Sequence, residues 1–150
     1  MDRPGPDLDT SVSIAPDEPA VLRDDVVVSV CTTCRAAGST EPATEGPALL
    51  DALRQTFANN QQARVRAVQC LSVCKRPVTI AVTSGDGYTF LFGDLDVERG
   101  VPALADFVRS YRVSSHGLVP WRARAEVLRK GMVARVPPPG WSPENGEPPK

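Results

Sequence analysis

The sequence predicts an α/β domain in which a four-stranded mixed sheet is covered by helices, in the order β-α-β-β-β-α. Three observations carry this. Short β-branched runs occupy residues 25–30, 64–69, 78–83 and 88–92. Two longer stretches carry apolar residues at helical spacing, one between the first two runs and one after the last. The turn Ser84-Gly85-Asp86-Gly87 stands between the third and fourth runs, a strong hairpin signal.

Taken in order, Asp25-Val26-Val27-Val28-Ser29-Val30 is continuous enough to be a strand covered on both faces, and it ends at Cys31. A polar Gly/Ser/Thr loop follows. Pro47 then sits where a first helical turn tolerates it, and Leu49, Leu50, Leu53 and Phe57 line one helix face up to Asn59-Asn60. Arg64-Val65-Arg66-Ala67-Val68-Gln69 alternates as a strand and ends at Cys70. Val78 to Thr83 and Tyr88 to Phe92 are the hairpin strands, and Val101, Leu104, Phe107, Val108 and Tyr111 mark the second helix. A short amphipathic helix is predicted over Ala123 to Lys130, packing Val127 and Leu128 with Trp121 as anchor.

Proline sets the limits of the folded unit. Four prolines fall in the first twenty residues and six in the last fourteen. Residues 1–23 and 137–150 are therefore expected to be disordered tails, the first of them acidic, because neither has apolar periodicity to offset the entropy of ordering. Between them lie a folded domain over 24–116 and a basic extension over 117–136 that packs on it. Trp141, inside the second tail, has no apolar support in the sequence.

Composition narrows the function. A 150-residue chain with 41% hydrophobic and 23% charged residues is globular, and a formal net charge of −1 argues against a nucleic-acid binder. No apolar run approaches the roughly 20 residues that cross a bilayer. The start MDRPGPDLDT is acidic and Pro-rich where a secretory leader is basic and then apolar. The expectation is a cytoplasmic protein, with no membrane and no nucleic-acid partner. In a reducing compartment four cysteines point to metal ligation or thiol chemistry and not to structural disulfides.

Their placement sharpens this. Cys31 and Cys34 form C-T-T-C directly after the first strand; Cys70 and Cys74 form C-L-S-V-C directly after the second. A right-handed β-α-β crossover makes these strands parallel, so both pairs belong at one sheet edge, where open α/β sheets bind ligands. Four convergent thiolates select zinc, an iron-sulfur cluster or cuprous ion. A [2Fe-2S] cluster needs two thiolates per iron, which two pairs provide, and Arg35, Lys75 and Arg76 beside them would favour its reduced form. Zinc is the alternative. A thioredoxin-type dithiol at Cys31 and Cys34 is a third reading, but its helix begins a dozen residues late and it leaves Cys70 and Cys74 idle.

The segments VCTTCR, VQCLSVCKRPVTIAV, GDGYTFLFGDL and GLVPWRARAEVLRKG carry a resemblance. The arrangement resembles the thioredoxin-like [2Fe-2S] ferredoxins. More closely, it is similar to a family of predicted metal-binding (2Fe-2S) ferredoxin-domain proteins often found near cobalamin-biosynthesis and metallochaperone genes in bacteria. The resemblance covers about Val26 to Pro137. It implies a thioredoxin-like fold over 24–116, a cluster on Cys31, Cys34, Cys70 and Cys74, and a homodimer. The ferredoxins separate their first two cysteines by a much longer interval. Such folds place a cis-proline where Pro77 stands; an ordinary trans proline opening a strand is the alternative.

The expected function is a carrier of single electrons to a redox partner protein, linked to cobalamin or metal metabolism, and not an enzyme. The alternative is a thiolate module that binds or delivers zinc or cobalt. His116 reads as an exposed helix-end residue, and Asp94 and Asp96 as helix caps. Hydrolytic catalysis is unsupported. The segment Trp121 to Arg135 has five cations against Glu126 alone, which makes it either a docking surface for an acidic partner or a solvated helix face.

Overall fold

The computed structural model describes residues 23–33, 44–73 and 75–142. The expected tails lie outside these residues, apart from Arg23 and residues 137–142. The elements are β1 (Val27–Cys31), α1 (Glu45–Ala58), β2 (Arg64–Val68), β3 (Ile80–Thr83), β4 (Thr89–Phe92), α2 (Val97–Val113), α3 (Glu126–Lys130) and β5 (Met132–Val136). They form a mixed sheet in the order β2-β1-β3-β4-β5. β1 and β2 are parallel, with Val27 beside Arg64 and Cys31 beside Val68, as the crossover through α1 requires. The other pairings are antiparallel.

The α/β fold class agrees with the sequence, with one strand more than the four expected. β5 falls in the segment read as a packed extension and pairs with β4 from Thr89–Val136 to Phe92–Met132 across a register irregularity at Leu91/Phe92. Its residues are half-buried to exposed, so it lacks the apolar alternation that marks the inner strands. The expected helix over 123–130 is also shorter. Arg124 is extended (φ −94°, ψ 140°), which separates a turn at Trp121–Ala123 from α3.

The core lies between the sheet and the paired helices α1 and α2. Val28, Val30, Ile80, Val82, Phe90 and Phe92 share one sheet face and are fully buried, because neighbouring strands place them in register. Leu49, Leu53 and Phe57 of α1 and Leu104, Phe107 and Val108 of α2 close over them. Phe107 stands edge-on to Phe90 and Phe92, at 5.0 and 5.2 Å between centroids. Asp96 caps α2 by accepting from the Arg99 N–H at 2.7 Å, which holds its carboxyl below the usual range.

Two residues placed by composition in the tails contact the domain. Arg23 donates to the carbonyls of Tyr111 (2.8 Å) and Ser114 (2.9 Å) and pairs with Asp86 at 3.0 Å. Trp141 packs edge-on to Tyr88 and His116, at 5.2 and 5.0 Å. His116 is accordingly half-buried, with its carbonyl accepting from the Tyr88 N–H at 2.8 Å, where an exposed helix-end residue was expected.

Candidate functional site

The parallel pairing of β1 and β2 brings their C-terminal ends to one edge of the sheet, and the loops that follow are hydrogen-bonded to each other. Cys31, the last residue of β1, is 1% exposed, and its N–H donates to the Thr79 carbonyl at 3.0 Å. Central placement between β2 and β3 buries it. Next, the N–H and hydroxyl of Thr32 both donate to the Val68 carbonyl, at 2.9 and 3.1 Å. The Thr33 hydroxyl donates to the Gln69 carbonyl. The Cys31 Sγ lies 3.7 Å from the Thr33 Oγ1 and 3.8 Å from the same Gln69 oxygen, which belongs to the peptide bond leading into Cys70.

Cys70 is exposed, two residues beyond β2. The Ser72 N–H donates to its Sγ at 3.1 Å, and Ser72 takes the left-handed conformation, φ +64°, that turns this amide back toward the sulfur. The structure therefore brings the loops of Cys31 and Cys70 together. Cys34 and Cys74, with Arg35, lie outside the described residues. Among the described residues no group of three metal-ligating side chains is formed. Two sulfurs at adjoining loop starts, one receiving a backbone N–H as metal-bound thiolates commonly do, fit a thiolate-held centre.

The second cysteine loop is fixed at its far end by Arg76. Its Nε and one terminal nitrogen contact the Asp94 Oδ2 at 2.9 and 2.7 Å, and its guanidinium also donates to the carbonyls of Lys130 (2.9 Å) and Met132 (3.3 Å). The Asp94 N–H returns to the Arg76 carbonyl at 2.9 Å. Arg76 was expected as a cation beside the sulfurs; it is an ion-paired clamp between the loop, the β4–α2 connection and the α3–β5 turn. Asp94 is correspondingly a partner of Arg76, not a helix cap. Lys75 is exposed. Among the described residues the cis peptide bond is Pro77–Val78, one residue after the position considered for a cis-proline.

Gly46, in the first turn of α1, is a site residue the sequence did not mark. A Cβ there would stand 2.2 Å from the Cys31 carbonyl oxygen and 3.1 Å from the Thr32 Cα. The N-terminus of α1 thus packs on the Cys31 loop, although Gly46 follows Cys31 by 15 positions in the chain, so distance in sequence does not separate that helix from Cys31.

Of the cations in the basic segment, Arg124 is withdrawn from the surface, while Arg122 and Lys130 stay exposed. Arg124 is 6% exposed and donates through Nε and a terminal nitrogen to the Val119 carbonyl, at 3.1 and 2.9 Å. Its guanidinium lies 5.1 Å from the Phe90 ring centroid and 5.6 Å from that of Trp121. Desolvation lowers its pKa. His116 sits at the end of the sheet opposite Cys31, beside the start of β4, so no Cys-His relay is formed among the described residues. Among those residues no helix is long and apolar enough to cross a membrane.

Comparison with known proteins supports the fold. The thioredoxin-like [2Fe-2S] ferredoxin from Aquifex aeolicus superposes with a TM-score of 0.52 over 79% of this chain and 98% of that chain, at 12% sequence identity. No curated protein matches the chain. Residues 28–138 match the family described as Protein of unknown function (DUF1636), and the chain belongs to that family.

Proposed function

We propose that this protein is a small one-electron carrier that holds a [2Fe-2S] cluster on Cys31, Cys34, Cys70 and Cys74. The observation that carries the reading is the meeting of the two cysteine loops, with the Cys31 sulfur 3.8 Å from the carbonyl that precedes Cys70. The likeness in fold to a thioredoxin-like [2Fe-2S] ferredoxin supports it. When bound, such a cluster stores and releases single electrons. The chain's own part is to present thiolates, to aim the Ser72 N–H at the Cys70 sulfur, and to keep Cys31 out of water while Cys70 faces a partner.

On this reading the protein passes electrons to a redox partner protein and is a cytoplasmic carrier, not an enzyme with its own substrate. Its link to cobalamin or metal metabolism and its assembly as a homodimer rest on the sequence resemblance. The test is iron and sulfide analysis of the full chain after anaerobic purification, with visible absorption. About two irons and two sulfides per chain are expected, two thiolates serving each iron. A colourless protein with stoichiometric zinc and no sulfide would overturn this in favour of a metal-binding or delivery module. Metal-free cycling of Cys31 and Cys34 that survives Cys70→Ser would overturn it in favour of a dithiol oxidoreductase.

A further inference from the structure

We infer that Thr33 is a positioning residue for the Cys31 sulfur, its hydroxyl being shared between that sulfur and the Gln69 carbonyl; this rests on the cluster reading above. Three atoms meet here. The Thr33 Oγ1 bonds the Gln69 oxygen and lies 3.7 Å from the Cys31 Sγ, which itself lies 3.8 Å from the Gln69 oxygen. A protonated Cys31 can donate its own S–H to Gln69. A metal-bound Cys31 has no proton, so its sulfur becomes an acceptor only. The Thr33 hydroxyl already stands within reach of both acceptors, and rotation about its C–O bond is enough to turn the proton from the carbonyl to the charged sulfur. No heavy atom has to move.

The consequence is a difference between oxidation states. Negative charge on the ligating sulfurs increases when the centre gains an electron, so a hydroxyl aimed at one of them stabilises the reduced form more than the oxidised form. Thr32 completes the arrangement mechanically. Its hydroxyl and N–H fix the preceding residue to Val68, so that Thr33 is held over Gln69.

The experiment compares the full chain with Thr33→Val, which keeps the shape and removes the hydroxyl, and with Thr33→Ser, which keeps the hydroxyl. Iron and sulfide content, midpoint potential and thermal unfolding are measured on each after anaerobic purification. Thr33→Val is expected to shift the midpoint to lower potential, and Thr33→Ser to retain the wild-type value. If Thr33→Val cannot hold iron, retention of iron and of the wild-type potential by Thr33→Ser supports the assignment, and loss of iron by both overturns it. An iron-loaded Thr33→Val with unchanged potential overturns it too, even where its thermal midpoint falls, and leaves the cluster reading intact. Wild-type protein without iron and sulfide removes both.

Discussion

The Cys31 sulfur and the Gln69 carbonyl oxygen are 3.8 Å apart, so residues 38 positions apart in the chain stand at one edge of the sheet. The parallel β1–β2 register causes this, since pairing Cys31 with Val68 leaves Gln69 and Cys70 as the next residues across from the first cysteine loop. The two cysteines differ in surroundings: Cys31 is buried and Cys70 exposed. Replacing either by Ser is therefore expected to abolish metal retention, but with different effects on the metal-free fold. Cys70→Ser should leave urea stability within about 0.5 kcal/mol, as surface changes do. Cys31→Ser places a hydroxyl in a buried site and should cost about 1–3 kcal/mol. Equal losses of stability would show that Cys70 is buried in the folded protein.

Arg76 offers a test of how the second loop is held. Its guanidinium joins Asp94 to the carbonyls of Lys130 and Met132. The ion pair is half-open to water and by itself is worth at most about 1 kcal/mol. The fork to two carbonyls adds what a point charge cannot reproduce. Arg76→Ala is expected to lower stability by about 1–2 kcal/mol, and Arg76→Lys to recover less than half of the loss. Amide exchange should show the effect concentrated at 93–95 and 130–132; a uniform change over the sheet would contradict the clamp.

Within the basic segment, Arg124 serves packing and is not available to a partner. A buried guanidinium with two bonds to the Val119 carbonyl is a structural group. Arg124→Ala leaves that carbonyl short of donors and exposes the Phe90 ring, so a loss of about 1–3 kcal/mol in denaturation is expected. Wild-type stability in Arg124→Ala would return Arg124 to the surface.

The pH response follows from Asp86. The Arg23 hydrogen bond is the main cause holding its carboxyl below the ordinary value. A carboxylate depressed in the folded state contributes stability above its unfolded pKa, near 3.9, and loses it as pH falls through the lower folded value. Because the Asp86 side chain is 74% exposed, the contribution is small, about 0.5 kcal/mol or less. Asp86→Asn should be slightly less stable than wild type at pH 7, and the gap in urea midpoint should close toward pH 3. A gap that widens on acidification would reverse the assignment.

The inner elements were legible in the sequence because burial writes a period into them. Val28 and Val30, the α1 stripe from Leu49 to Phe57, and the hairpin at Ser84–Gly87 each answer to a packed face or a tight turn. β5 was not legible, since an edge strand with half-buried residues on both faces has no alternation to show. Trp141 and Arg23 were misplaced for a related reason: each is anchored by contacts distant in sequence, to Tyr88 and His116 or to Tyr111 and Ser114. At the candidate site the cysteines announced themselves by spacing. Thr32 and Thr33 looked like spacers, because a hydroxyl's partner across a parallel pair depends on register, which local pattern does not contain.

Gly46 should reverse the usual sign of a helix substitution. In an exposed helical position Gly→Ala stabilises by up to about 1 kcal/mol, through propensity and a less flexible unfolded chain. Here the added methyl would meet the Cys31 carbonyl oxygen at 2.2 Å and the Thr32 Cα at 3.1 Å, both backbone atoms that cannot swing aside. Either α1 moves outward, opening its contacts through Leu49 and Leu53, or the Cys31 loop moves, loosening the Thr32 and Thr33 bonds to β2. The first costs core packing and the second the meeting of the cysteine loops. Gly46→Ala is therefore expected to destabilise the protein by about 1–3 kcal/mol, as overpacking does, and to lower iron retention in parallel. Ala48 is exposed one residue beyond Pro47 on the same helix, and Ala48→Gly supplies the control: it should cost no more than about 1 kcal/mol and leave iron retention unchanged. A Gly46→Ala protein more stable than wild type would mean that α1 does not approach Cys31 as closely as described.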